Sequence, residues 1–417
     1  MNRILCLSLL WLAAGCATTA PDPQYSAANG MAATAHPVAT NVARDVLGRG
    51  GNAADAAVAA GFALAVVEPS MSHLGGRIQI LVRSPDGVYT GYNGMTEVPA
   101  GYKPPEEPVS QGYGTIATPG VVAGFARLHA EHGSLPWSEL LQEPARIARD
   151  GYRLLPRAAA RHAEGLDSFR DNPGFQRTFI ERDGSAFDEG DVLRQPDLAN
   201  TITRLAEHGA GDFYAGRIAR QIAADMAANG GHVTADDLAA YRVLDGRVVS
   251  TTYRGYDIHS LAAPAGGGLV VRTLNILENF DLAALTEAQW ASVMNQALAL
   301  AFNGIAEDPA ESDLDRLVDK AWAAQQAATI DLQVSPVNDR QGAQDKLDEH
   351  HTTHFAIADC EGRVVTITQT VGPLFGSRVI TPGLGFVYAT TMGSYLTASG
   401  QAPGSRPRTT IAPTVVS

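Results

Sequence analysis

Residues 53–67, "AADAAVAAGFALAVV", carry a single charge, Asp55. An Ala-rich stretch of this kind reads as a helix, and a helix without a polar stripe has to be buried on most of its faces. The apolar spacing is helical on both sides of "GRGGN" (residues 48–52), so "HPVATNVARDVLGRGGNAADAAVAAGFALAVVEP" reads as two helices joined at a glycine C-cap. Whatever fold the chain adopts must supply partners around the second of them.

Those partners are visible further along. "RIQILVRSPDGVYTGYN" alternates on either side of Pro85, Asp86 and Gly87, the pattern of a β-hairpin. Helices are expected near 120–132, 137–151, 196–208, 215–229 and 287–305, and "TADDLAAY" offers Thr234 as an N-cap with an acid at Asp237. Residues 308–348 start helical and turn polar, and "SPVNDRQGAQDKLDEH" reads as an exposed, mobile segment. From Thr352 onward "TTHFAIAD" and "VVTITQTV" alternate around "CEGR" as a second hairpin, and "GLGFVYAT" reads as a further strand. Helices flanking strands early and strands dominating late point to a layered α+β or α/β/α domain. A chain of 417 residues is long enough for one large layered domain or for two or three smaller ones.

At 45% hydrophobic and 18% charged the composition is that of a folded chain. The net charge of −13 and the lack of any basic run argue against nucleic acid, which needs clustered Lys and Arg to displace counterions. "MNRILCLSLLWLAAGC" (residues 1–16) has one Arg, an apolar run too short to span a bilayer and small residues before a Cys, so it reads as an export signal. Its ending "LAAGC" resembles the lipobox of bacterial lipoproteins, which would make Cys16 a lipid anchor, with ordinary signal cleavage nearby as the alternative. Residues 17–30 then form a tether, and the protein is exported to the periplasm or cell envelope. Only Cys360 remains in the mature fold under either processing, so no intramolecular disulfide is expected.

"EHHTTHFAIADCEG", residues 349–362, poses a chemical question. Threonine is common in strands because its branched Cβ suits the pleat. Three histidines, His350, His351 and His354, invite a metal reading. In an extended strand, however, four residues span about 13 Å, too far for His350 and His354 to share one ion, and there is no HExxH. No metal or cofactor is expected. The remaining reading is a nucleophile. A Thr hydroxyl needs a base, and one available base is the residue's own α-amine, freed by cutting the chain just before it. With a reference pKa of about 8, that amine suits proton transfer at neutral pH. Thr352 sits where such a residue belongs, at a strand's start after an exposed segment.

Further words bear on the choice: "ATAHPVAT", "LGRGGNAADAAVAA", "VVEPSMSHLGG", "ATPGVVAGF", "GSLPWSELL", "QPDLANTITRLAEHGAGDFYAGRIARQI", "GGHVTADDLAAYRV", "YRGYDIHSLAAPAGGG", "TTHFAIAD", "FGSRVITPGLG" and "SRPRTTIAPTVV". In this order, from about Met31 to the last residue, they resemble the γ-glutamyltransferase (glutathione hydrolase) family. The resemblance implies an N-terminal-nucleophile hydrolase with an αββα sandwich. It also implies a proenzyme that cuts itself into a large part, residues 31–351, and a small part, residues 352–417, which stay associated. The cut falls between His351 and Thr352, and Thr352 becomes the nucleophile for a small-molecule γ-glutamyl amide, the acyl group passing to water or an amine. Thr353 and His354 also match, Thr370 takes the place of a supporting hydroxyl, and Thr409 and Thr410 stand for paired serines near the substrate carboxylate.

The match has departures. Met95 stands where the family has the arginine that grips the glutamyl α-carboxylate, and loss of a bidentate cation weakens such recognition. Gly372 replaces an Asn, and Ser394 replaces the Asp that contacts the substrate amino group. Gly75 and Gly76 are kept, but Arg77 and Ile78 stand where glycines would continue. The family chain runs on past "APTVV" with a Gly-Gly pair that forms the oxyanion hole, so the small-subunit part reads as incomplete, from a truncated record or from a fold that closes differently. Arg77 and Arg378 are the nearest cations that could replace the lost arginine, or solvated surface residues. Three functions are consistent with this pattern: a γ-glutamyl hydrolase or transferase, an acylase with a changed acyl group, and a non-catalytic relative that binds or scaffolds.

Overall fold

The computed structural model describes residues 29–107, 109–306, 314–332, 351–393 and 402–417. The signal with Cys16, most of the tether, the segment 335–350 with His350, and Ser394 lie outside the described residues. The first strand, β1 (Gly30–Ala33), leads into helices α1 (Pro37–Gly48) and α2 (Ala53–Val67). Gly50, at φ 93, turns the chain between them in a left-handed conformation open to glycine. Asn52 and Asp55 then form a reciprocal capping box that starts α2. Every residue of α2 is buried, as the unbroken apolar stretch requires.

The hairpin β2 (Arg77–Arg83) and β3 (Tyr89–Gly94) follows, with α3 (Val121–His132), α4 (Trp137–Asp150) and the short β4 (Tyr152–Arg153) behind it. Next come α5 (Pro156–Phe169), α6 (Pro173–Phe179), β5 (Val192–Leu193), α7 (Pro196–His208), α8 (Gly211–Ala215), α9 (Arg217–Ala228) and α10 (Ala235–Ala240). Thr234 caps α10 and forms a capping box with Asp237, as expected from "TADD". Strands β6 (Leu244–Gly246), β7 (Val248–Tyr253) and β8 (Tyr256–Leu261) precede α11 (Gly267–Leu277), α12 (Glu287–Ala306), α13 (Leu314–Leu317) and α14 (Lys320–Ala327). The chain ends with β9 (His351–Asp359), β10 (Val364–Gly372) and β11 (Val415–Val416).

Six strands form one sheet in the order β1-β9-β10-β2-β3-β6, and a second sheet runs β11-β8-β7. Paired residues in an antiparallel sheet share a face, so the register sorts the side chains. Phe355, Ile357, Val365, Ile367, Ile78, Ile80 and Tyr92 point to one face and build the main core with α2 and α3. On the opposite face Leu81, Tyr89 and Val364 meet Val248, Leu261 and Val415 of the second sheet and Ala265 of the loop after β8. Beyond that sheet α11 packs on β7 and β8 through Val249 and Val271. The layers are helix, sheet, sheet, helix, an α+β sandwich of the expected kind. β9 and β10, which follow Thr352, lie between β1 and β2, which precede it, so strands from the two sides of residue 352 interleave in one sheet.

"GLGFVYAT" does not form a strand. Gly383 and Gly385 take left-handed φ values of 82 and 71, and the segment makes only isolated bridges, Ile380 with Val387 and Tyr388 with Gly75. Its alternating apolar residues are instead buried individually, Phe386 against Phe213 and His73. The β7–β8 hairpin and helices α5, α6 and α11 are further elements that the sequence reading left unassigned.

One ion pair fixes the join of α7, α8 and α9. Buried Asp212 accepts from Arg204 Nε at 2.6 Å and Nη2 at 2.8 Å and from the amides of Arg217 and Ile218. The Arg204 hydrogen bonds lower its pKa to about 2 from 3.8, with the two amides assisting and burial opposing. A depressed carboxyl stabilises the fold above its unfolded pKa and loses that contribution as pH falls through the folded one. Asp212→Asn is therefore expected to be less stable than wild type above about pH 3.8, with the gap closing toward pH 2, as denaturant titrations at stepped pH can measure.

Candidate active site

Thr352 heads β9 and is exposed. Gln369 pairs with Thr353 and Gly372 with His351, so Thr370 and Val371 together oppose Thr352, which makes a β-bulge. The extra residue is held from outside the ladder: Val371 N–H donates to Met71 O at 3.1 Å and its carbonyl accepts from Thr390 N–H at 3.0 Å. Gly372 closes the bulge at φ 92, a left-handed value that favours glycine. The Thr352 hydroxyl donates to Thr370 Oγ1 at 3.3 Å, and Thr370 Oγ1 also accepts from Gly372 N–H at 2.9 Å. Thr352 and Thr370, the two hydroxyls that the resemblance singles out, thus lie within hydrogen-bond distance of each other.

The face they share is polar at this end of the sandwich and apolar at the other. Next to the Thr370–Arg77 pair runs the row His354, Thr368, Gln79 and Asn93. His354 Nδ1 lies 2.8 Å from Thr368 Oγ1 and its Nε2 lies 3.2 Å from Thr366 Oγ1, so both ring nitrogens are engaged by hydroxyls. Desolvation of the ring lowers the His354 pKa. Among the described residues no group of three or more His, Cys, Asp or Glu side chains gathers to hold a metal, and no helix is long and apolar enough to cross a membrane.

Arg77 pairs with Thr370 across the ladder and is only 1% exposed, so it is not a solvated surface residue. Its Nη1 donates to Thr390 O at 2.9 Å, bracing the segment that also receives Val371. Arg378 is half-buried and left-handed at φ 57, and burial lowers its pKa while Glu164 opposes. Met95 is fully buried, and its carbonyl accepts from Tyr241 O–H at 2.6 Å. Arg406 contacts residues on either side of it, pairing with the Glu97 carboxylate at 2.9 Å, donating to the Asn93 backbone carbonyl at 2.7 Å and stacking on Tyr241. The sequence reading passed over this cation, although it stands in the "SRPRTT" word.

Thr409 and Thr410 lie on the loop after that arginine. Thr409 N–H donates to Pro264 O at 2.8 Å, Thr409 Oγ1 accepts from Ile411 N–H at 3.3 Å, and Thr410 is exposed. Among the described residues no hydrogen bond joins either of them to Thr352. A groove of about 330 Å³ among Asn200, Arg204, Arg217, Gln221 and Gly383 shares no residue with the threonine pair.

A family profile described as Gamma-glutamyltranspeptidase matches residues 39–417. The glutathione hydrolase proenzyme of Escherichia coli (strain K12) is 32% identical, over 94% of this chain and 73% of that protein. The Acylase ACY 1 proenzyme of Pseudomonas sp. (strain SE83) is 30% identical, over 93% of this chain and 74% of that protein. Among solved structures, the cephalosporin acylase from Bacillus halodurans superposes with a TM-score of 0.82 at 27% identity, covering 93% of this chain and 75% of that one. The gamma-glutamyltranspeptidase of Helicobacter pylori superposes at 0.71 with 31% identity, covering 75% of this chain and 95% of that one.

Proposed function

Because the chain belongs to the gamma-glutamyltranspeptidase family, we propose that it is a self-processed amidohydrolase and acyltransferase for γ-glutamyl amides such as glutathione, with Thr352 as its nucleophile. The observation that carries this reading is the hydroxyl pair at the head of β9, Thr352 donating to Thr370 at 3.3 Å. In the precursor, Thr352 Oγ1 adds to the carbonyl carbon of His351. The C–N bond breaks, the hydroxyl proton ends on the Thr352 nitrogen, and an ester forms. Water then hydrolyses that ester to a His351 carboxylate and returns the Thr352 hydroxyl, now beside a free α-amine.

In turnover the amine takes the hydroxyl proton as Oγ1 attacks the substrate amide, and it passes that proton to the leaving amine. The acyl ester is then released to water or to an acceptor amine. Thr370 orients the Thr352 hydroxyl, and the interleaved strands keep both fragments in one sheet after the cut. Export and lipid attachment at Cys16 belong to the same proposal. The mass of the mature N-terminus tests it, and an unmodified residue 16 would contradict it.

Buried Met95 favours a second reading, an acylase with a changed acyl group, because an apolar side chain occupies the position from which the resemblance expects a carboxylate-gripping cation. Parallel assays of the processed protein on a chromogenic γ-glutamyl anilide and on a β-lactam bearing an acidic acyl chain separate the two. Turnover of the anilide supports the first reading, turnover of the β-lactam alone supports the second, and neither supports a non-catalytic relative. With either substrate, Thr370→Val is expected to lower kcat by about 10- to 100-fold, the loss of one orienting hydrogen bond in a catalytic pair.

A further inference from the structure

We propose that Glu68 is a positioning residue for Thr352, acting through the hydroxyl of Thr353. The proposal rests on the self-processing reading above. Neighbouring residues of β9 face opposite ways, so Thr352 points into the polar end of the sandwich while Thr353 points back toward α2. Thr353 is fully buried, and its hydroxyl donates to Glu68 Oε2 at 2.9 Å across 285 residues of sequence. Glu68 follows the last residue of α2, where its amide donates to Leu64 O and its carbonyl accepts from the amides of Met71 and Ser72. That leaves its side chain on a tightly fixed stem.

The turn that Glu68 opens also holds the bulge. Met71 O accepts from Val371 N–H, Ser70 O accepts from Phe375 N–H at 3.0 Å, and Ser72 Oγ accepts from Gln369 Nε2 at 3.0 Å. Residues 68–72 therefore hold β10 at Gln369 and Val371, hold the segment after it at Phe375, and reach β9 through the Glu68 carboxyl. The ladder between β9 and β10 is irregular at this point, and cleavage before Thr352 would remove the covalent tether as well. A side-chain anchor one residue past the cut sets which way Thr352 faces in both states. Burial raises the Glu68 pKa, while Thr353 and the Arg161 and Arg157 side chains of α5 oppose that rise, and the buried Tyr152 hydroxyl senses the same carboxyl. The partly buried carboxyl thus sits among Thr353, Tyr152 and two arginines of α5.

A double-mutant cycle on the full-length precursor tests the inference. Glu68→Ala and Thr353→Val are each expected to slow fragment formation and to lower kcat by about tenfold, with KM changed by less than about twofold. The double variant is expected to be about as slow as either alone, because both remove the same contact. Glu68→Gln keeps an oxygen that accepts from Thr353 and is expected to restore most of the rate. Should Glu68→Ala fail to fold, Glu68→Gln and Thr353→Ser decide the matter through their near-wild-type rates. Losses that multiply in the double variant, a Gln variant as slow as Ala, or changes confined to KM would overturn the role. A wild-type chain that never cleaves overturns both the processing reading and this inference. Wild-type cleavage with Glu68 variants equally fast overturns the inference alone.

Discussion

Thr352→Ala is expected to purify as one intact chain and to stay intact, while wild type converts into two fragments on a denaturing gel. The substitution removes the hydroxyl that the proposed cleavage uses to attack the His351 carbonyl. The adjacent Thr353 cannot stand in, because its hydroxyl faces α2 and is bound to Glu68. Thr370 is the partner that accepts from Thr352, and its oxygen also receives the Gly372 amide. Removing a nucleophile that works as a unit with its base lowers rates by about 10⁴-fold or more, which on a preparative timescale is no cleavage. Stability is expected to change little, since Thr352 is exposed and its side chain packs in no core cluster. Thr352→Ser retains the hydroxyl and is expected to cleave.

Gly76→Ala is expected to lose both stability and processing. A Cβ at residue 76 would lie 2.6 Å from Thr370 O and 2.9 Å from His73 O, and both obstacles are backbone. Neither can rotate away as a side chain would. The Gly76 carbonyl also accepts from Gly120 N–H, so the residue is pinned from the other side. Overpacking at a site of this kind costs about 3 kcal/mol or more, and the displacement falls directly on Thr370, whose hydroxyl accepts from Thr352. A lowered denaturant midpoint together with an uncut chain is the expected outcome. A stable Gly76→Ala protein that cleaves at the wild-type rate would mean that Thr370 is not held as described.

The parts of this molecule that were legible in its sequence are those written in local periodicity. The unbroken apolar run of α2, the alternation of the two hairpins and the Thr234–Asp237 cap each depend on residues a few positions apart. The threonine pair came from the resemblance, and the β9–β10 hairpin is what brings residues 352 and 370 to each other. What the sequence hid are contacts set by register and by layers. Arg77 reads as a surface cation until its strand proves to be central in the sheet. Glu68 reads as a helix end until the chain brings Thr353 to it. "GLGFVYAT" alternates like a strand, yet the left-handed Gly383 and Gly385 spend its residues on separate buried contacts. Thr409, carried over from the resemblance with Thr410, hydrogen-bonds to Pro264 and Ile411, and among the described residues neither threonine makes a hydrogen bond to Thr352.

The central claim is that Thr352 becomes a chain terminus and works as a nucleophile from there. Intact-mass measurement with N-terminal sequencing of the purified wild-type protein tests it most directly. The expected result is a fragment that begins at Thr352 with a free α-amine, copurifying with a fragment that ends at His351. A single uncut chain, or a cut at any other bond, would contradict it.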